Sequence, residues 1–164
     1  MSKVFLNAYD EIQQQMVILH PDETISFVYF DEENSYEYIS DAVDGGIELC
    51  FGLSIPVANK KEGKEALLPI VAFCNDEFLI SNDKQFDKIN ALASLISNKE
   101  IRGNVAVLYD KQNGDSRGFV GCEKEIIKRF VEQTKEMFKD EIKMLHKEFD
   151  NNKSEPKFVI FYGD

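Results

Sequence analysis

The side chains able to do chemistry are few and scattered. Three cysteines, Cys50, Cys74 and Cys122, and two histidines, His20 and His146, are the whole supply of thiols and imidazoles. No pair of them has zinc-ligand spacing, so neither a metal nor a cofactor is expected. Nucleophilic catalysis needs a nucleophile, a base and an orienting group. Cys122 is the one candidate: it falls at the start of the predicted last helix, where the macrodipole lowers a thiol pKa. The opposing reading is a small buried residue closing a turn between Gly121 and Glu123. No local motif brings a histidine to it, and His20 and His146 read as surface residues. The chain has no G-x-S-x-G and no P-loop. Gly114, Gly118 and Gly121 fall along a predicted hairpin, not in a strand-to-helix phosphate loop. No catalytic residue is assigned.

Carboxylates are the abundant groups. Asp31, Glu32 and Glu33 share one predicted turn, and Asp41 and Asp44 lie near the next. The calcium-loop pattern is absent, which leaves solvated loops or contacts to a partner. The net charge is −11. Residues 1–58 hold eleven acidic side chains against Lys3 alone, whereas residues 59–164 hold nineteen against eighteen basic ones. A negative field over the first third disfavours nucleic acid and anionic membranes and favours basic partners, or serves solubility. Glu48 stands out inside an apolar strand; on an exposed sheet face it is ordinary, whereas buried it would need a partner such as a nearby lysine.

At 164 residues the expectation is one domain, 1–164. An odd number of cysteines without metal spacing points to a reducing compartment. The N-terminus does not read as a signal peptide, and no apolar run approaches the roughly 20 residues of a membrane span. A cytoplasmic location is expected.

These groups must be positioned by a sheet. From Ile47 to Val57 every odd residue is apolar, and a second apolar run covers 66–74. Strict alternation predicts a strand with one buried face, and the two runs predict a hairpin. A register pairing Phe51 with Phe73, Leu53 with Val71 and Val57 with Leu67 keeps one face large. It sets Cys50 beside Cys74, most simply as two buried free thiols. Helical spacing predicts a helix over 3–19, as core or partly as a dimer face, ended by Pro21. Residues 24–31 predict a strand. Residues 35–43 fit either periodicity, with a slight preference for a strand. Asn82 and Gln85 have capping-box spacing ahead of a helix over 83–98. Residues 104–110 predict a strand, and Asn113-Gly114 a two-residue hairpin turn that sets Asp110 opposite Arg117. A single helix over 122–149 carries Ile127, Phe130, Val131, Thr134, Phe138, Ile142, Leu145 and Phe149 in one stripe. Residues 151–156 read as a linker and 157–162 as a final strand, paired within the fold or across a dimer. The order α-β-(β)-β-β-α-β-β-α-β predicts an α+β protein, with a mainly antiparallel sheet and about three helices packed on it.

This order, with the acidity, resembles the type III secretion chaperone fold. The counterparts are the helix near 3–19, strands at 24–31, 47–58 and 66–74, the helix at 83–98, strands at 104–110 and 116–120, and the helix at 122–149. The segments at 35–43 and 157–162 depart from the family pattern. The resemblance implies a non-enzymatic homodimer that binds an extended segment of another protein.

A well-specified core beside an absence of convergent reactive groups predicts a binding or regulatory protein without chemistry of its own. The expected partner is another protein, basic in character, steered by Asp31, Glu32, Glu33, Asp41 and Asp44. Two other classes stay open: an acidic inhibitor or nucleic-acid mimic that occupies a basic enzyme, and a small thiol enzyme using Cys122.

Overall fold

The computed structural model describes residues 13–59, 63–79 and 84–154. Residues 3–12 of the predicted first helix, the Asn82 cap and the predicted strand at 157–162 lie outside them. The described elements are β1 (Gln15–Leu19), β2 (Ile25–Tyr29), α1 (Ser35–Val43), β3 (Ile47–Asn59), β4 (Lys64–Asn75), α2 (Ala91–Ser97), β5 (Val105–Asp110), β6 (Ser116–Arg117), α3 (Glu123–Met137) and α4 (Lys139–Ser154). The strands form one sheet in the order β2-β1-β5-β4-β3, with β6 also on β5. All its pairings are antiparallel. The chain is α+β, as expected.

The sheet is covered on both faces. Val17, Leu19, Ile70, Ala72, Val105 and Val107 point into the larger core with residues of α2, α3 and α4. Met16, Ala106 and Leu108 point the other way, onto Ile39 and Val43 of α1. This explains the first correction. Residues 15–19 are not the end of a helix but a central strand, flanked by β2 and β5. A run of four apolar residues, Met16 to Leu19, satisfies either period; burial on both faces decides for the strand.

Residues 35–43 correct the second expectation, because they form α1 rather than a strand. Asp31 accepts from the Glu33 N–H at 3.0 Å and starts a 3-10 turn that leads into the helix. Ile39 and Val43 are buried one turn apart. Asp44 closes α1 in the left-handed conformation, φ 60°, donating its N–H to Ser40 O. The resulting element order differs from the one on which the chaperone resemblance was built.

The β3–β4 hairpin forms, but in another register. Phe51 lies opposite Ala72, Leu53 opposite Ile70 and Val57 opposite Ala66. β4 is an inner strand with both faces covered, so it carries large residues on both, and matching large to large misjudged the pairing. A bulge lies between Leu49 and Phe51. Pro56 and Pro69 fall at pairs of the same parity, opposite Leu67 and Ser54. Lacking an N–H, both must face away from the β3–β4 ladder. Pro69 therefore points where β5 would continue, and β4–β5 pairing begins only at Ile70.

Four further expectations are corrected. The helix over 83–98 is split into a 3-10 turn at Lys84–Asp87 and the short α2. Asn90 causes the break: fully buried, it accepts from Ala93 N and donates to Leu19 O and Gly103 O at 3.0 and 2.9 Å. The β5–β6 turn has three residues, with Lys111 N donating to Asp115 O, so Arg117 faces Tyr109 rather than Asp110. The long last helix is broken at Phe138. Thr134 Oγ1 donates back to Phe130 O at 2.6 Å, a bond that bends helices. The apolar stripe survives the break: Ile127, Val131, Thr134, Ile142 and Phe149 are all buried. Residues 151–154, read as linker, complete α4. No helix of the described residues is long and apolar enough to cross a membrane.

Candidate functional site

The carboxylates singled out in the sequence have unequal fates. Asp31 is spent on local structure, since its second oxygen also accepts from Asn34 Nδ2 at 2.9 Å. Glu32 accepts from Gln14 Nε2 at 2.7 Å and pairs with Lys111 at 3.2 Å. The Gln14 amide foremost, then Lys111, hold its carboxyl below the usual range against the burial that would raise it. Glu33, Asp41 and Asp44 are exposed.

The helical conformation of 35–43 adds Glu37, a residue the sequence reading passed over. Glu37 and Asp41 lie one turn apart on the same side of α1, with Glu33 in the 3-10 turn before it and Asp44 in the left-handed cap after it. All four are exposed, and Ile39 and Val43 occupy the opposite, buried side. The signal was present as that spacing, but the strand reading of Tyr36 and Tyr38 hid it. α1 contains no basic residue. Its backbone carbonyl end already carries partial negative charge, and Asp41 and Asp44 sit there. The macrodipole alone disfavours a carboxylate in that last turn by about 0.3–1 kcal/mol.

Apolar surface borders the acidic stripe. Tyr36 is 59% exposed and Tyr29 51%, and Tyr29 packs edge-on against Tyr38 at 5.9 Å. A cleft of about 490 Å³ beside the 3-10 turn is lined by Gln14, Tyr29, Asp31, Glu32 and Glu33. A second, of about 400 Å³, lies between α1 and the β5–β6 turn, lined by Tyr36, Ile39, Phe73, Lys111 and Asp115. Aromatic rings and carboxylates on one ridge can receive a basic, partly apolar surface.

Cys122 is exposed at the start of α3 and makes no side-chain cap. The neighbouring Glu123 does that work: it accepts from Val120 N at 2.9 Å and takes Arg117 through both oxygens, each at 2.9 Å. Burial alone would raise its carboxyl, but the Arg117 pair and the Val120 N–H outweigh it and hold it low. The Arg117 guanidinium also lies 3.7 Å over the Tyr109 ring. Neither histidine serves Cys122. His146 Nε2 meets Glu23 Oε1 at 2.7 Å. His20, read as a surface residue, is half-buried in a cross-strand row, Nε2 to Ser26 Oγ at 2.7 Å and Nδ1 to Asn104 Oδ1 at 3.1 Å. Among the described residues no cluster of His, Cys, Asp and Glu could hold a metal ion.

Compared with protein-family models, curated proteins and solved structures, the chain matches none.

Proposed function

We propose that the chain is a non-catalytic protein-binding or regulatory module, and that the acidic ridge of α1 is its recognition surface for a basic partner protein. One observation carries the reading: Glu33, Glu37, Asp41 and Asp44 are all exposed on and beside α1, a helix without a basic residue, and Asp41 stands in its last turn, where the macrodipole disfavours a carboxylate. Charges kept against local stability are what a binding surface requires. Tyr29 and Tyr36 supply the contact area that carries affinity at interfaces. The carboxylates steer the approach and set its salt dependence.

The test is affinity capture from cell extract at low and high salt, with the wild type and with Glu33→Lys, Glu37→Lys and Asp41→Lys combined. Proteins held by the wild type at low salt, released by salt and lost by the variant support the proposal. Identical captured sets overturn it. The substituted side chains are exposed, so an unchanged circular dichroism spectrum serves as the folding control.

A further inference from the structure

Cys50 and Cys74 lie on β3 and β4, beside the bulge. Across the ladder Glu48 faces Cys74, Leu49 faces Phe73, and the next pair is Phe51 with Ala72. Cys50 is thus the extra residue, with no partner of its own. Its side chain and that of Cys74 belong to the same buried cluster, and the two thiols influence each other's ionisation. Both are reduced and buried, Cys74 completely. Cys74 Sγ also lies 3.9 Å from Glu48 Oε1. Lys99 reaches in from the far side, donating Nζ to Leu49 O at 3.2 Å, and its charge favours the ionised form of either thiol. Glu48 and Lys99 line a surface cleft of about 460 Å³ with Asp76, Glu77 and Ile101. Solvent comes within one side chain of the pair.

We propose that Cys50 and Cys74 are an oxidative modification site, a dithiol that a hydroperoxide closes to an intramolecular cross-strand disulfide. Cys74 is the attacking thiol. The neighbouring Cys50 thiol lowers its pKa against burial and Glu48, and Cys74 in turn pushes Cys50 strongly up. The Cys74 thiolate bonds to one peroxide oxygen, the O–O bond breaks, and the leaving hydroxide takes up the thiol proton as water. Cys50 then attacks the resulting sulfenic sulfur: the S–S bond forms, the S–O bond breaks, and the Cys50 proton leaves with the hydroxide as a second water. Two thiols lose two electrons and the peroxide becomes two waters. The bulge lies on the last strand of the described sheet, where it opens more readily than a regular ladder and lets Cys50 reach Cys74.

The experiment treats the folded Cys122→Ser chain with hydrogen peroxide and reads intact mass and alkylation after unfolding. The expected result is a monomer lighter by two hydrogens, with Cys50 and Cys74 both protected from alkylation and both released by a thiol reductant. In the Cys50→Ser, Cys122→Ser chain, Cys74 is expected to accumulate as a sulfenic acid that dimedone traps. Full alkylation of both cysteines after treatment overturns the proposal, as does oxygen addition without a disulfide. Trapping at Cys50 in the Cys74→Ser, Cys122→Ser chain, with none at Cys74 in its counterpart, overturns the assigned order of attack.

Discussion

Among the described residues, one side of the sheet and the helices α2, α3 and α4 share a cluster of twenty-one buried residues. On the other side the cluster has six, Met16, Phe30, Ala106 and Leu108 with Ile39 and Val43 of α1. The outer surface of α3 mixes both signs, with Arg129 and Glu125 paired at 3.3 Å, whereas α1 carries carboxylates only. The thick side has what stability asks of it: a broad apolar stripe, a bidentate ion pair at its start and a fully satisfied Asn90. The thin side has a nine-residue helix with acids at its wrong end. The difference teaches where selection for folding stops being a sufficient account of the sequence.

The strongest way to break the comparison is to cut equal volume from each side. Leu92 and Ile39 are both buried. Leu92→Ala should cost about 2–5 kcal/mol of global stability, as for other buried leucines. Ile39→Ala should register first as local opening, with faster hydrogen exchange over 35–43 while the β5 amides keep their protection. Equal loss of protection in α1 and β5 would make α1 part of the same cooperative unit, and the two sides would no longer differ in kind.

The sequence disclosed these two sides unequally. The β3–β4 hairpin, β5 and the stripe from Ile127 to Phe149 are long periodic signals, and they survive a bulge and a helix break. Residues 15–19 were opaque because Met-Val-Ile-Leu is compatible with both periods, and only the neighbours β2 and β5 decide. The register failed because Val71 and Phe73 serve the α1 side while Ile70 and Ala72 serve the other, a fact of layering and not of the hairpin. Asn90 looked like one polar residue inside a helix, although its three hydrogen bonds end one element and start the next. At the site, Asp41 and Asp44 were visible as acids. Their grouping with Glu33 and Glu37 depended on a conformation that nine residues could not declare alone.

A smaller effect sharpens the contrast through pH. The Glu123 carboxyl is held low by Arg117 and Val120 N, so it binds protons less readily folded than unfolded. Its contribution is therefore complete above the ordinary glutamate pKa and is lost as the pH falls through its lowered folded value. Charge-assisted hydrogen bonds of this kind are worth about 1.5–3 kcal/mol. Glu123→Gln should reduce stability at neutral pH, with the deficit shrinking toward zero in acid. Denaturant titrations of both proteins across that range check it. A deficit that stays constant with pH would mean that the carboxylate charge contributes nothing and that Glu123 acts through shape alone.

The smallest effect is the most telling for the acidic ridge, because its sign is unusual. Most substitutions destabilise. Asp41→Lys removes a carboxylate from the negative end of α1 and puts a cation there, so the macrodipole predicts a gain of about 0.3–1 kcal/mol. Salt should diminish the gain, since the side chain is exposed. The same variant should weaken capture of a basic partner. A rise in the thermal midpoint together with loss of binding would show that the residue is kept at the expense of the fold. Were Asp41→Lys to lower the midpoint instead, the carboxylate would be holding the helix in place. The thin side would then be built for stability as the thick side is.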